Sequence, residues 1–72
     1  MQRDHEAINQ ILSAAVLSDQ PAKEFQKALT PVRSFPSVDS AWTDGTSFFV
    51  RYKKGGMVAW TAPPEPHSED HH

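Results

Sequence analysis

The chain has no cysteine, only three glycines and no long apolar run. Without cysteine there is no disulfide, no thiol nucleophile and no cysteine-ligated zinc. A domain this small then depends on a thin core, or on self-association, to stay folded. The same absence is compatible with a reducing cytoplasm, where the protein is expected to reside. No window approaches the roughly 18 consecutive apolar residues of a membrane span. The N-terminal Met1-Gln2-Arg3-Asp4-His5-Glu6 lacks the basic start and apolar stretch of a secretory signal. A soluble protein with no membrane partner is expected. An excess of either charge is also missing: seven Lys and Arg oppose nine Asp and Glu, for a net −2. Glu65, Glu69 and Asp70 fall in residues 63–72, where there is no Lys or Arg, so the preceding body is +1 (seven basic, nine minus three acidic). Such a body gives little steering toward nucleic acid or anionic membranes.

Seventy-two residues fit one domain, read here as a body over 1–62 followed by a Pro-rich acidic and histidine tail over 63–72. Ile8, Ile11, Leu12, Ala15 and Val16 recur at the spacing of one helical face, predicting a helix over about 4–18 with Asp4 as its N-cap. Pro21 cannot extend that helix but suits the first turn of another, which Asp19 would cap. Its stripe is Ala22, Phe25, Ala28 and Leu29, and Thr30-Pro31 should end it. Residues 31–36 then read as an extended connector.

From Ser37 the pattern alternates. Asp44-Gly45 suits a two-residue type I′ turn, and a second turn falls in Lys53-Lys54-Gly55-Gly56. The predicted strands cover about 37–43, 46–52 and 57–62. The fold class is therefore α+β: two N-terminal helices packed on a three-stranded antiparallel β-meander, ααβββ. Centring the second turn on Lys54-Gly55 or on Gly55-Gly56 gives the same facing. Val38, Trp42, Phe49, Val58 and Trp60 share one side with Ser40, Ser47 and Arg51. Ala41, Phe48, Val50, Tyr52, Met57 and Ala59 share the other with Asp39, Thr43, Thr46 and Thr61.

Both sides are apolar, whereas a half-solvated antiparallel sheet usually alternates apolar-in and polar-out. The first helix is expected on the side holding Trp42, Phe49 and Trp60. Phe48, Val50, Tyr52 and Met57 would then form an exposed patch, the expected partner-binding site. Helices straddling the sheet, or a connector folded over it, would remove that patch.

Other chemistry finds little support. His67, His71 and His72 with Glu69 and Asp70 are metal-binding residue types, but a tail offers no fixed geometry, so neither a metal nor a cofactor is expected. His5 and Glu6 read as a solvated first helical turn. The serines lack a Gly-x-Ser-x-Gly setting, and the glycines open no phosphate-binding loop. Pro63 and Pro66 match Pro-x-x-Pro, a short and frequent pattern better explained as the end of the last strand. Arg51, Lys53 and Lys54 form a basic hairpin tip near aromatic residues, which is one way to hold a single nucleic-acid strand.

The expected function is a small non-catalytic protein-binding module, a regulator or inhibitor of a larger complex, whose partner is a foreign protein or a second copy. The alternative is a nucleic-acid-binding domain using Arg51, Lys53 and Lys54.

Overall fold

The computed structural model describes residues 2–63; the tail histidines and acids discussed above lie outside the described residues. Two helices, α1 (Gln2–Leu17) and α2 (Pro21–Arg33), precede three strands, β1 (Val38–Thr43), β2 (Ser47–Tyr52) and β3 (Met57–Thr61). The strands form one antiparallel sheet in the order β1-β2-β3. This is the ααβββ architecture expected from the alternation and helical periodicity.

Helix α1 begins earlier than predicted, so Asp4 lies within its first turn rather than capping it. Its carboxylate instead accepts the Ser37 hydroxyl at 2.8 Å, tying the start of the helix to the start of the sheet. Pro21 opens α2 as expected, but the residue before the helix is Gln20, and no side chain caps it. The predicted end at Thr30 is wrong: α2 runs through Pro31 to Arg33. Pro31 lacks only one donor in the last turn, and continuing the helix brings Val32 into line with Phe25, Ala28 and Leu29. Val32 is fully buried there. The end is closed by the Ser34 N–H to the Pro31 carbonyl and the Ser34 hydroxyl to the Thr30 carbonyl.

Both helices cover the same side of the sheet, α2 above β1 and α1 beside β3. The core beneath them holds Ile8, Leu12 and Ala15 from α1 and Phe25, Ala28 and Val32 from α2. The sheet supplies Val38, Ala41, Phe48 and Val50. Each large apolar side chain fully buried in this way contributes roughly 1.5–3 kcal/mol. The rings of Phe25 and Phe48 sit 5.8 Å apart at the centre of the helix–sheet contact.

The helices cover the Phe48 and Val50 side rather than the expected Trp42 and Phe49 side, and the turns set how β3 is shared between the two. In the first hairpin Thr43 faces Phe48 and Trp42 faces Phe49, so the loop residues are Gly45 and Thr46 rather than Asp44 and Gly45. Type I′ requires positive φ at both central residues. Here only Gly45 has it, at 96°, while Asp44 flanks the turn. Asp44 Oδ1 accepts the N–H groups of Thr46 and Ser47 at 2.9 and 2.8 Å, in place of a backbone carbonyl. This two-residue slip preserves which β1 and β2 side chains share a side, apart from an irregularity at Asp39. There Val38 faces Tyr52 while Ser40 faces Arg51, so the extra residue rotates Val38 onto the buried side.

The second hairpin makes the decisive difference. The Tyr52 N–H bonds the Gly56 carbonyl, and the Gly55 N–H bonds the Tyr52 carbonyl. The loop is therefore Lys53-Lys54-Gly55, three residues long, with Gly55 at φ 104°. This is the turn-plus-bulge geometry of three-residue hairpins. An odd loop reverses the facing of the whole third strand relative to a two-residue turn. Val58 and Trp60 consequently join Phe48 and Val50 on the roofed side, and Met57, Ala59 and Thr61 join Trp42 and Phe49 on the other.

The bonds from the Ser47 and then the Thr46 N–H hold the Asp44 carboxyl below its ordinary pKa of 3.8. Its contribution to stability is therefore complete above pH 3.8 and is lost as pH falls through the lowered folded-state value. The urea midpoint of the wild-type chain should drop over that acid range by more than that of Asp44→Asn, which keeps the acceptor but not the titration. Parallel acid profiles would show that the turn bonds carry no linkage.

Candidate docking face

The side of the sheet away from the helices is organised in rows across the strands. The central row is Trp42, Phe49 and Ala59, the next toward the second hairpin is Ser40, Arg51 and Met57, and the row at the other end pairs Ser47 with Thr61. Trp42 and Phe49 are direct cross-strand partners whose rings stack 5.4 Å apart at 20°. Such a pair gains energy beyond burial alone, and it half-buries Phe49 while leaving Trp42 39% exposed. Met57 is 59% exposed. A large unbranched apolar side chain left this open has no role in holding the chain together.

Polarity is graded along the face. At the first-hairpin end the Ser47 and Thr61 hydroxyls bond each other at 3.0 Å. At the other end Arg51 is exposed within the sheet, and Lys53 and Lys54 are exposed on the loop beyond it. The acidic residues of the sheet region are Asp39, at the irregular edge of β1, and Asp44, engaged in its own turn. The second-hairpin end of the face is therefore net positive.

The residues expected to bind a partner are separated by this arrangement. Phe48 and Val50 are fully buried under the helices and present no surface. Tyr52 is half-buried on the same side, with its hydroxyl 2.8 Å from His5 Nδ1. Burial, and then the charge of Asp4, raise the Tyr52 pKa above 10.0. Beside it the Trp60 indole N–H donates to Asn9 Oδ1 at 3.0 Å. His5, Asn9, Tyr52 and Trp60 thus bind the start of α1 to the sheet. Of the expected set only Met57 stands on the open side. Trp42 and Phe49 fall outside the expected set because the first helix was expected on their side, whereas Ala59 lies beside Met57 on the open side as expected.

Arg51, Lys53 and Lys54 are all exposed, as their basic character suggested, and Arg51 shares a face with the Trp42–Phe49 stack. Among the described residues no three His, Asp or Glu side chains converge as metal ligands would. No described helix is long and apolar enough to cross a membrane. Comparison with protein-family models, with curated proteins and with solved structures finds no match for the chain. The class defined by the fold is a small ααβββ domain with one roofed and one open sheet face.

Proposed function

We propose that the chain is a non-catalytic protein-binding module that docks through the open sheet face, centred on Trp42, Phe49 and Met57. The reading rests on one observation: both helices occupy the same side, leaving the stacked pair and Met57 facing solvent. Tryptophan is enriched among the residues that dominate binding energy, and a centre of this kind is typically ringed by polar groups that exclude water. Ser40, Ser47, Arg51 and Thr61 supply such a ring. Arg51, Lys53 and Lys54 select for a partner whose apolar patch carries an acidic margin at one end. Occupying such a patch on a larger complex would make the module a regulator or inhibitor of it.

The same face supports a second reading, because Arg51 lies beside a flat aromatic pair. A single nucleic-acid strand could stack on Trp42 while Arg51, Lys53 and Lys54 hold its phosphates. Salt separates the two. Phosphate contacts weaken steeply with ionic strength, whereas an apolar interface changes little. For the protein-binding reading, Trp42→Ser and Met57→Lys should each weaken a partner captured by the wild-type chain by roughly 30-fold. Their circular dichroism should remain native, and added salt should have little effect. Retention of that partner by both variants would defeat the reading. Tight binding of a labelled single-stranded oligonucleotide, abolished by salt and by Arg51→Gln, would replace it with the second.

A further inference from the structure

Hydrogen-bonded and non-bonded residue pairs alternate along an antiparallel ladder. The Tyr52-to-Gly56 and Ala62-to-Thr46 backbone bonds fix that alternation between β2 and β3. Val58 and Trp60 therefore bond inward to β2, and Met57, Ala59 and Thr61 turn their N–H and C=O groups outward. Among the described residues no backbone bond reaches those outward groups, and all three residues are exposed.

The other edge is treated differently. By the same alternation the Ala41 carbonyl of β1 points outward, and the Arg33 guanidinium closes it with bonds of 2.8 and 3.1 Å. The irregularity at Asp39 adds a charge and breaks the regular edge. Charge, bulges and covering side chains are the usual means of blunting an edge strand. Strand β3, Met57-Val58-Ala59-Trp60-Thr61, has no charge, no proline and no register shift.

We propose that β3 is a dimerisation edge, pairing antiparallel with β3 of a second copy about a two-fold axis at Ala59. The outward groups at 57, 59 and 61 are symmetric about residue 59. One register therefore satisfies all of them: Met57 against Thr61 of the other copy, and Ala59 against its own counterpart. A residue on a two-fold axis meets itself, so a neutral, small side chain is required there. Ala59 provides one. The same pairing brings the end of β3 beside Lys53 and Lys54 of the second copy. The product is a continuous six-stranded sheet. This goes beyond the docking face, which each copy would keep on the same side.

The purified chain alone tests this, with no other protein present. Light scattering across concentration should give twice the 8.1 kDa chain mass, and Ala59→Lys, which places like charges on the axis, should halve it. Because the sequence has no cysteine, Ala59→Cys should form a disulfide-linked dimer in a glutathione buffer far faster than Asp39→Cys on the guarded edge. A single-chain mass at every concentration, or equal cross-linking at positions 59 and 39, overturns the proposal. Trp42→Ser should leave the doubled mass unchanged. Failure of the dimer and failure of the docking face are thus read separately.

Discussion

Phe48→Ala should unfold the chain, or nearly so, under conditions in which Trp42→Ala remains native. Both are large aromatic residues on adjacent strands, and the sequence alone places Trp42 under the first helix and Phe48 in the open patch. The fold reverses them. Phe48 is fully buried against Phe25 beneath the helices, whereas Trp42 is 39% exposed on the opposite side. Truncating a buried phenylalanine costs about 3–5 kcal/mol, because lost transfer energy is joined by the energy of the cavity. A domain of 72 residues has a total stability of about 4–11 kcal/mol at typical values per residue. The loss is therefore a large share of the whole. Trp42→Ala forfeits its stack with Phe49, about 0.5–1.5 kcal/mol, with some partial burial. Urea unfolding followed by far-ultraviolet circular dichroism measures both. Comparable losses for the two variants would mean that the open face contributes to the core.

Phe25→Ala should cost about as much as Phe48→Ala, again roughly 3–5 kcal/mol, because Phe25 is the largest of the side chains that α2 buries over the sheet. Phe25 is fully buried, and its ring centroid lies 5.8 Å from that of Phe48 at 56°. The pair should also be coupled. Leucine substitutions at both sites keep most of the volume, so the chain stays folded and a double-mutant cycle can be completed. The coupling expected for a tilted aromatic pair is about 0.5–1.5 kcal/mol. Strict additivity of Phe25→Leu and Phe48→Leu would indicate that the rings fill space without interacting specifically. Leu17, 83% exposed at the end of α1, provides the control. Leu17→Ala should leave the urea midpoint almost unmoved.

The helices and the existence of three strands were legible because their periods are strong. Ile8, Leu12 and Ala15 fall on one helical face and are all buried. The reach of α2 through Pro31 was not legible. Proline's local preference against helix was outweighed by the burial of Val32, a tertiary effect. The candidate site depended on something finer still, the parity of two loops. Lys53-Lys54-Gly55-Gly56 offers two glycines, and a three-residue loop using Gly55 at positive φ is as natural for it as either two-residue turn. Choosing an even loop exchanged Val58 and Trp60 with Met57 and Ala59. The polar residues held a corrective signal. With the observed register, Ser40, Ser47, Arg51 and Thr61 gather on one side and Thr43 stands almost alone among apolar residues on the other. The familiar apolar-in, polar-out contrast is then visible, and the tryptophan on the polar side becomes the anomaly that marks a surface. An open second face was one of two readings the sequence left standing, and Phe48 and Val50, expected on it, are the residues the helices cover.

The guanidinium of Arg33, resting on the Ala41 carbonyl, has an implication for growth. A sheet open at both margins can recruit further molecules without limit and lengthen into a fibre. Covering that carbonyl obstructs one margin and directs an added strand to the other, where among the described residues no backbone bond reaches the outward groups of Met57, Ala59 and Thr61.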